Sequence, residues 1–264
     1  MPISAQPAIG PNQLLRQYFD SLLREFGPQH WWPARTRLEV ILGAILTQNT
    51  SWQNAALGIR GLRKAGLLSM SRLKQARRAE IEAAIRPSGF FRQKTRTIRN
   101  FVAWLVDTCR GSLSCMLRRP TVQLRAEMLE IQGLGPETVD AILLYACGIP
   151  RFVADAYTRR ILSRHGLIPD GFGYHETQEF LHSHLPEDAQ LFNEFHALLV
   201  EAGKRHCRRS APECHNCPLE RFLAKDDRQT AGSDLGSIRK ANGFKIFLSA
   251  QLPARAGRIG PESA

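Results

Sequence analysis

Fourteen consecutive residues constrain this chain more than any others: Leu129-Glu130-Ile131-Gln132-Gly133-Leu134-Gly135-Pro136-Glu137-Thr138-Val139-Asp140-Ala141-Ile142. A helix is predicted to end before Gly133, and a new one to begin at Pro136. Proline suits a first helical position, because its missing N–H would have had no intrahelical partner there. The two glycines permit a tight turn and the close approach of another backbone. The second helix then aims free backbone N–H groups outward, with the positive end of its dipole behind them. That is an anion site, and a DNA phosphate fits it with no side chain in the way. Gly133, Leu134, Gly135, Glu137 and Thr138 are the candidate contacts. A Gly-x-Gly alone also suits an ordinary helical turn. The length of the whole pattern is what makes it specific.

The charge balance agrees with an anionic partner. The 264 residues carry 36 Lys and Arg against 24 Asp and Glu, a formal net charge of +12. Such an excess does not stabilise a fold, but it attracts a polyanion, most commonly nucleic acid. A merely basic soluble protein is the plainer alternative. No apolar run approaches the ~18 residues of a membrane span. The first eleven residues lack a basic region followed by an apolar stretch, so no secretory signal is expected. A cytoplasmic protein, reaching the nucleoid through DNA, follows as the expectation. In that compartment six cysteines point to thiols or a metal site rather than disulfides.

The apolar pattern is helical nearly throughout: Leu38, Ile41, Leu42 and Ile45, then Ile98, Phe101 and Leu105, then Ile142, Leu143 and Ala146. Gly and Pro punctuate it at Gly27-Pro28, Pro87-Ser88-Gly89, Gly148-Ile149-Pro150 and Pro169-Asp170-Gly171. No sustained alternation suggests strands and no internal repeat is present, so the expected class is all-α. From about Ala224 the chain is polar and Gly-rich. It reads as a loosely ordered tail with a short strand-like patch at 244–248.

Twenty residues after Gly135 comes Val153-Ala154-Asp155-Ala156-Tyr157-Thr158-Arg159-Arg160. Asp155 falls where the next helix begins. Aspartate favours a helix N-cap for its own sake. A cap also holds a carboxylate rigidly, which is what a catalytic group requires, so the two roles are compatible.

The hairpin followed by this aspartate resembles the helix-hairpin-helix, Gly/Pro-Asp DNA glycosylases, of which endonuclease III is representative. The resemblance covers residues 31–219. It is nearest to the 3-methyladenine DNA glycosylases within the endonuclease III branch. It rests on Trp31-Trp32-Pro33, on Leu46-Thr47-Gln48-Asn49-Thr50, on Arg86-Pro87-Ser88-Gly89-Phe90-Phe91 with Gln93-Lys94, and on the hairpin itself. It implies that Asp155 is the catalytic carboxylate and that double-stranded DNA with a damaged base is the partner. One departure bears on the reaction. Bifunctional members carry a hairpin lysine that attacks the sugar as a Schiff-base nucleophile, and here the matching position is Glu137. A carboxylate cannot form a Schiff base, so water is the expected nucleophile and strand cleavage is expected to be weak or absent.

Breaking an N-glycosidic bond builds positive charge on the sugar. A fixed carboxylate can stabilise that charge and orient or deprotonate the attacking water. An alkylated purine is already cationic and leaves readily once drawn out of the base stack. Aromatic walls would hold it by stacking and cation–π attraction, worth about 0.5–2 kcal/mol per ring. Trp31, Trp32, Trp52 and Phe90 are the candidates, and the resemblance favours Trp32 and Trp52. Core aromatics would give the same residues. Gln48 resembles the polar residue that fills the gap left by the flipped base, although it also reads as a helix C-terminal cap.

Cys207, Cys214 and Cys217 form Cys-x6-Cys-x2-Cys, followed by Pro218-Leu219. This looks like the iron–sulfur loop of endonuclease III, which uses four thiolates. The fourth is expected six residues after Cys217, where this chain has Leu223. Three readings stay open. A 4Fe-4S cluster persists on three thiolates and another ligand, such as an Asp in the tail or a solvent molecule. Zinc is held with His206 or His215 as the fourth ligand. Or there is no metal. Lys204, Arg205, Arg208 and Arg209 add positive charge around the loop.

The architecture expected from these readings is a two-lobed helix-hairpin-helix glycosylase fold acting as a monomer. Residues 31–148 would form one lobe and carry the hairpin. Residues 1–30 with 149–223 would form the second, with the cysteine loop, and 224–264 the tail. The DNA cleft would lie between the lobes, with Asp155 at its mouth. Two other functions remain: an endonuclease III-type mismatch or oxidised-base glycosylase with AP lyase activity, and a non-catalytic DNA-binding hairpin protein. Retention of Asp155 speaks against the last, since phosphate binding does not need that carboxylate.

Overall fold

The structure, a computed structural model, describes residues 9–31 and 34–223. Among these residues every regular element is helical. The α-helices are α1 (Pro11–Phe26), α2 (Arg37–Thr47), α3 (Trp52–Lys64), α4 (Met70–Gln75), α5 (Arg78–Ile85), α6 (Phe91–Cys109), α7 (Leu113–Leu117), α8 (Thr121–Leu129), α9 (Pro136–Tyr145), α10 (Ala156–Arg164), α11 (Tyr174–His184) and α12 (Ala189–Arg205). The all-α expectation holds for them. The expected tail, with its patch at 244–248, lies outside the described residues, as do Trp32 and Pro33.

Local chemistry sets many of the helix starts. The side chains of Thr36, Ser51, Ser69, Asp155 and Asp188 each accept the backbone N–H three residues on, at the head of α2, α3, α4, α10 and α12. Proline opens both α1 and α9. Two helices are apolar nearly all round and sit innermost. In α2, every residue from Leu38 to Leu46 is buried, and in α9 every residue from Thr138 to Leu144. They pack against each other, with α3 and α6 on α2, and α8 and α12 on α9. On the far side, α12 packs against α10 and α1.

Three buried charges pin this framework. Glu39, inside α2, accepts the Arg35 N–H at 2.7 Å and the Arg63 guanidinium at 2.8 Å. Lys94 of α6 donates its ammonium to Leu46 O at 2.8 Å and Ser88 O at 2.6 Å. The first of these is a carbonyl at the end of α2, where a cation suits the helix dipole. Burial pulls the Lys94 pKa down to about 8. The third is Asp140 of α9, wholly buried. Arg125 of α8 grips it with two nitrogens, at 2.7 and 3.1 Å. The Tyr174 hydroxyl at 2.9 Å and the Gln178 amide at 2.8 Å, both from α11, donate to Oδ2, which Arg125 Nη2 also reaches. A buried carboxylate is tolerable only when its lone pairs are satisfied in this way. The network fixes the hairpin helix to the helices on both sides of it.

Candidate active site

The hairpin forms as the sequence predicts. After α8, Gly133 adopts φ +100°. A Cβ there would lie 2.1 Å from the Thr97 hydroxyl oxygen, so only glycine lets the turn press against α6. Gly135 caps α9 in an extended conformation, and a Cβ on it would meet nothing within 4 Å. The Gln48 amide, just past the end of α2, donates to Gly133 O and to the Thr138 hydroxyl, each at 2.9 Å. It therefore braces the turn from the cavity side. The Leu134 side chain is buried and its N–H donates to Ile131 O at 3.0 Å. Thr138 is largely buried too, leaving its backbone, in the first turn of α9, as the part that can reach outward.

Beside the hairpin opens a cavity of about 520 Å³, a size suited to one small organic group such as a base. It brings together Trp31, Gln48 and Trp52 of one continuous stretch, Glu137, and Asp155, from four separate parts of the chain. The Trp31 and Trp52 rings are 6.3 Å apart, tilted by 39°. Phe90 does not line the cavity. It sits at φ +46° after Gly89, at the head of α6, and its side chain swings outward to 62% exposure. Trp32 falls outside the described residues.

Asp155 caps α10, its Oδ1 accepting the Thr158 N–H at 2.8 Å, and its side chain is 13% exposed. Burial pushes its pKa upward, but His196 and the Thr158 N–H outweigh burial, and the net shift is downward. The group is an anion at neutral pH. Glu137, at the cavity mouth, shifts the other way, through desolvation first and the Asp155 charge second. Two carboxylates of opposite tendency thus share one cavity.

Among the cavity residues, Tyr145 and His196 escape the sequence reading, and Lys204, read there only as positive charge near the cysteine loop, turns out to line the cavity. The Lys204 ammonium lies 5.2 Å from the Trp31 ring centroid, over its face. Each sits in a stretch whose pattern reads as plain amphipathic helix. The one signal was His196 itself, a titratable side chain inside the apolar run Phe195-His196-Ala197.

Cys207, Cys214 and Cys217 follow α12 in one loop. Cys207 O accepts Arg160 Nε at 2.7 Å, and its Sγ accepts Arg164 Nη1 at 3.3 Å. Burial, together with the neighbouring thiols, pushes the Cys217 thiol up to about 11 and the Cys214 thiol upward as well. The position where a fourth thiolate is expected holds Leu223, buried and apolar. His206 stacks on Phe26, and His215 pairs with the Asn216 side chain. Among the described residues no three His, Cys, Asp or Glu side chains are grouped to hold a metal ion. These residues do not fit a four-thiolate cluster. Visible thiolate-to-iron absorption that is lost in Cys217→Ser would show a cluster held on three thiolates and another ligand, and its absence would leave zinc or no metal.

A hairpin that offers N–H groups to an anion, beside a base-sized cavity with an ionised carboxylate on a helix cap, defines the helix-hairpin-helix class of base excision proteins. Comparison with known proteins agrees. Residues 42–187 match the HhH-GPD superfamily of base excision DNA repair proteins. The chain is 41% identical over 212 residues to a candidate DNA repair glycosylase of Methanocaldococcus jannaschii, covering 80% of this chain and 96% of that protein. It is 28% identical over 189 residues to endonuclease III of Sulfolobus acidocaldarius, covering 71% and 82% of the two. A non-covalent endonuclease III–DNA complex superposes with a TM-score of 0.72 at 20% identity, over 85% of this chain and all (100%) of that one. A 3-methyladenine DNA glycosylase of Helicobacter pylori bound to 1,N6-ethenoadenine gives 0.65 at 26% identity, over 75% and 98%. The chain belongs to the HhH-GPD superfamily and is a base excision repair DNA glycosylase. No described helix is long and apolar enough to cross a membrane.

Proposed function

We propose that this glycosylase releases alkylated purines from double-stranded DNA by hydrolysis, with water as nucleophile and Asp155 as the catalytic carboxylate. The observation that carries this reading is the pairing of Asp155 with Glu137 in one cavity, where the hairpin helix presents a carboxylate and no amine. As the glycosidic bond lengthens, the Asp155 anion stabilises the positive sugar and takes the proton of the attacking water. Trp31 and Trp52 form the walls against which the extruded base stacks. Phosphates bind at the free N–H groups heading α9, and the protein acts as a monomer. Of the described residues, those within 31–148 form one lobe and those within 1–30 with 149–223 the other, with the DNA between them.

One feature favours a second reading. Lys204 places an amine on the cavity wall, so AP lyase chemistry has a nucleophile available there. A single set of assays separates the two. The protein is incubated with duplexes carrying 3-methyladenine, uracil opposite guanine, or an abasic site, and base release and nicking are scored separately, with borohydride trapping alongside. Release of 3-methyladenine without nicking or trapping is expected. Trapping that disappears in Lys204→Ala would establish the lyase and displace the water mechanism.

A further inference from the structure

Three helices meet at a chain of contacts that the mechanism above leaves unused. Tyr145 ends α9, His196 lies midway along α12, and Asp155 caps α10. His196 is buried, at 6% exposure. Its Nδ1 is hydrogen-bonded to the Tyr145 hydroxyl. Its Nε2 is buried with no hydrogen-bond partner and faces Asp155 Oδ2 at 3.6 Å, just beyond hydrogen-bond distance. Phe152 closes one side with its ring edge, at a centroid distance of 6.4 Å.

The direction of the chain follows from elementary chemistry. Burial, then the charges of Asp155 and Glu194, drive the Tyr145 pKa well above that of a free phenol. The hydroxyl therefore keeps its proton. A neutral imidazole has one donor nitrogen and one acceptor nitrogen. When Nδ1 accepts from Tyr145, the ring proton sits on Nε2, on the side facing Asp155. We propose that His196 is a positioning residue for base release: its tautomer set by Tyr145, it presents Nε2–H to Asp155 Oδ2 and holds the carboxylate in place against the sugar. The other oxygen, Oδ1, is already held by the Thr158 N–H. Both carboxylate oxygens are then held, which a helix cap alone does not achieve. This rests on the assignment of Asp155 as the catalytic group.

The charged and titratable groups around His196 are Tyr145 and Glu137 on α9, Asp155 at the head of α10, and Glu194 and Lys204 on its own helix. Asp155 acts as an anion, and His196 is the principal group that favours that form. Its removal raises the Asp155 pKa. Activity, which is lost as pH falls through that pKa, then fails at a higher pH than in the wild type.

The test compares His196→Leu, His196→Gln, Tyr145→Phe and Asp155→Asn in single-turnover base release across pH, with duplex affinity and thermal melting measured in parallel. His196→Leu should be about tenfold slower at neutral pH, the scale of one lost hydrogen bond to a charged group. Its deficit should grow toward acid, with DNA affinity unchanged. His196→Gln restores an N–H donor and should recover most of the rate. Tyr145→Phe frees the tautomer and should lose several-fold. Independently of activity, the 15N shifts of the wild-type His196 ring should report a proton on Nε2 at neutral pH, and Tyr145→Phe should disturb it. An inactive Asp155→Asn beside a His196→Leu with the wild-type rate and pH profile would overturn the inference and leave the Asp155 mechanism standing. So would a loss equal at every pH that Gln does not rescue, or a ring protonated on Nδ1. Full activity in Asp155→Asn would instead remove the mechanism itself.

Discussion

Asp155→Asn is expected to slow base release by at least ~10²-fold, the scale on which a charge stabiliser or general base contributes. The substitution is nearly isosteric. Asparagine is also a good N-cap, so its side-chain oxygen can still accept the Thr158 N–H that Asp155 accepts at 2.8 Å. The head of α10 stays in place and thermal stability should change little. What disappears is the negative charge in the cavity, and with it the means of stabilising a sugar cation. DNA affinity should hold or rise, because a carboxylate near phosphates has been neutralised. Single-turnover kinetics with a duplex-binding titration distinguish this outcome from a folding defect. An active Asp155→Asn would place the chemistry on another group.

The second large effect separates binding from folding within the hairpin. Gly135→Asp puts a carboxylate at the head of α9, where a phosphate would sit. The position has φ −93° and open space around a Cβ, so the protein tolerates the change. Aspartate even caps a helix well. Loss of a charge-assisted phosphate contact is worth about 1.5–3 kcal/mol, or roughly 10–100-fold in affinity. The loss should be alike for every sequence, because the hairpin reads phosphate and not bases. Gly133→Asp must behave differently. Its Cβ would strike the Thr97 side chain, and φ +100° is foreign to L-residues, so the melting temperature itself should fall. Normal binding by a stable Gly135→Asp protein would move the phosphate site elsewhere.

The two glycines also show what kind of information a sequence carries. The hairpin was legible because its chemistry is local: a turn that needs glycine, a helix that tolerates proline at its start, and an aspartate that caps. Each of those features is decided within a few neighbouring residues. An aromatic in a matching motif suggests a pocket wall at Phe90, but the direction of its side chain depends on the positive φ values of Gly89 and Phe90, which composition does not reveal. Leu134 lay in the right motif and faces the core. His196 was missed for the opposite reason. Its partners, Tyr145 and Asp155, come from other helices, and 51 residues separate it from Tyr145. Nothing in the stretch around it distinguishes a histidine that touches a carboxylate from one that merely packs. The all-α class was plain from periodicity, whereas the way α2 and α9 come together at the centre depends on pairings across the whole chain.

The buried grip of Arg125, Tyr174 and Gln178 on Asp140 has a practical consequence for anyone purifying this protein. Mobile ions weaken attractions that cross water, such as the one between the α9 head and a phosphate, and leave nearly intact those sealed inside the protein. The exposed pairs Arg16–Asp20 and Arg77–Glu80 belong to the first kind, and the Asp140 network to the second. A high-salt column wash should therefore strip bound nucleic acid while the empty hairpin keeps its shape. The protein that elutes should regain full affinity on dilution, with no refolding step.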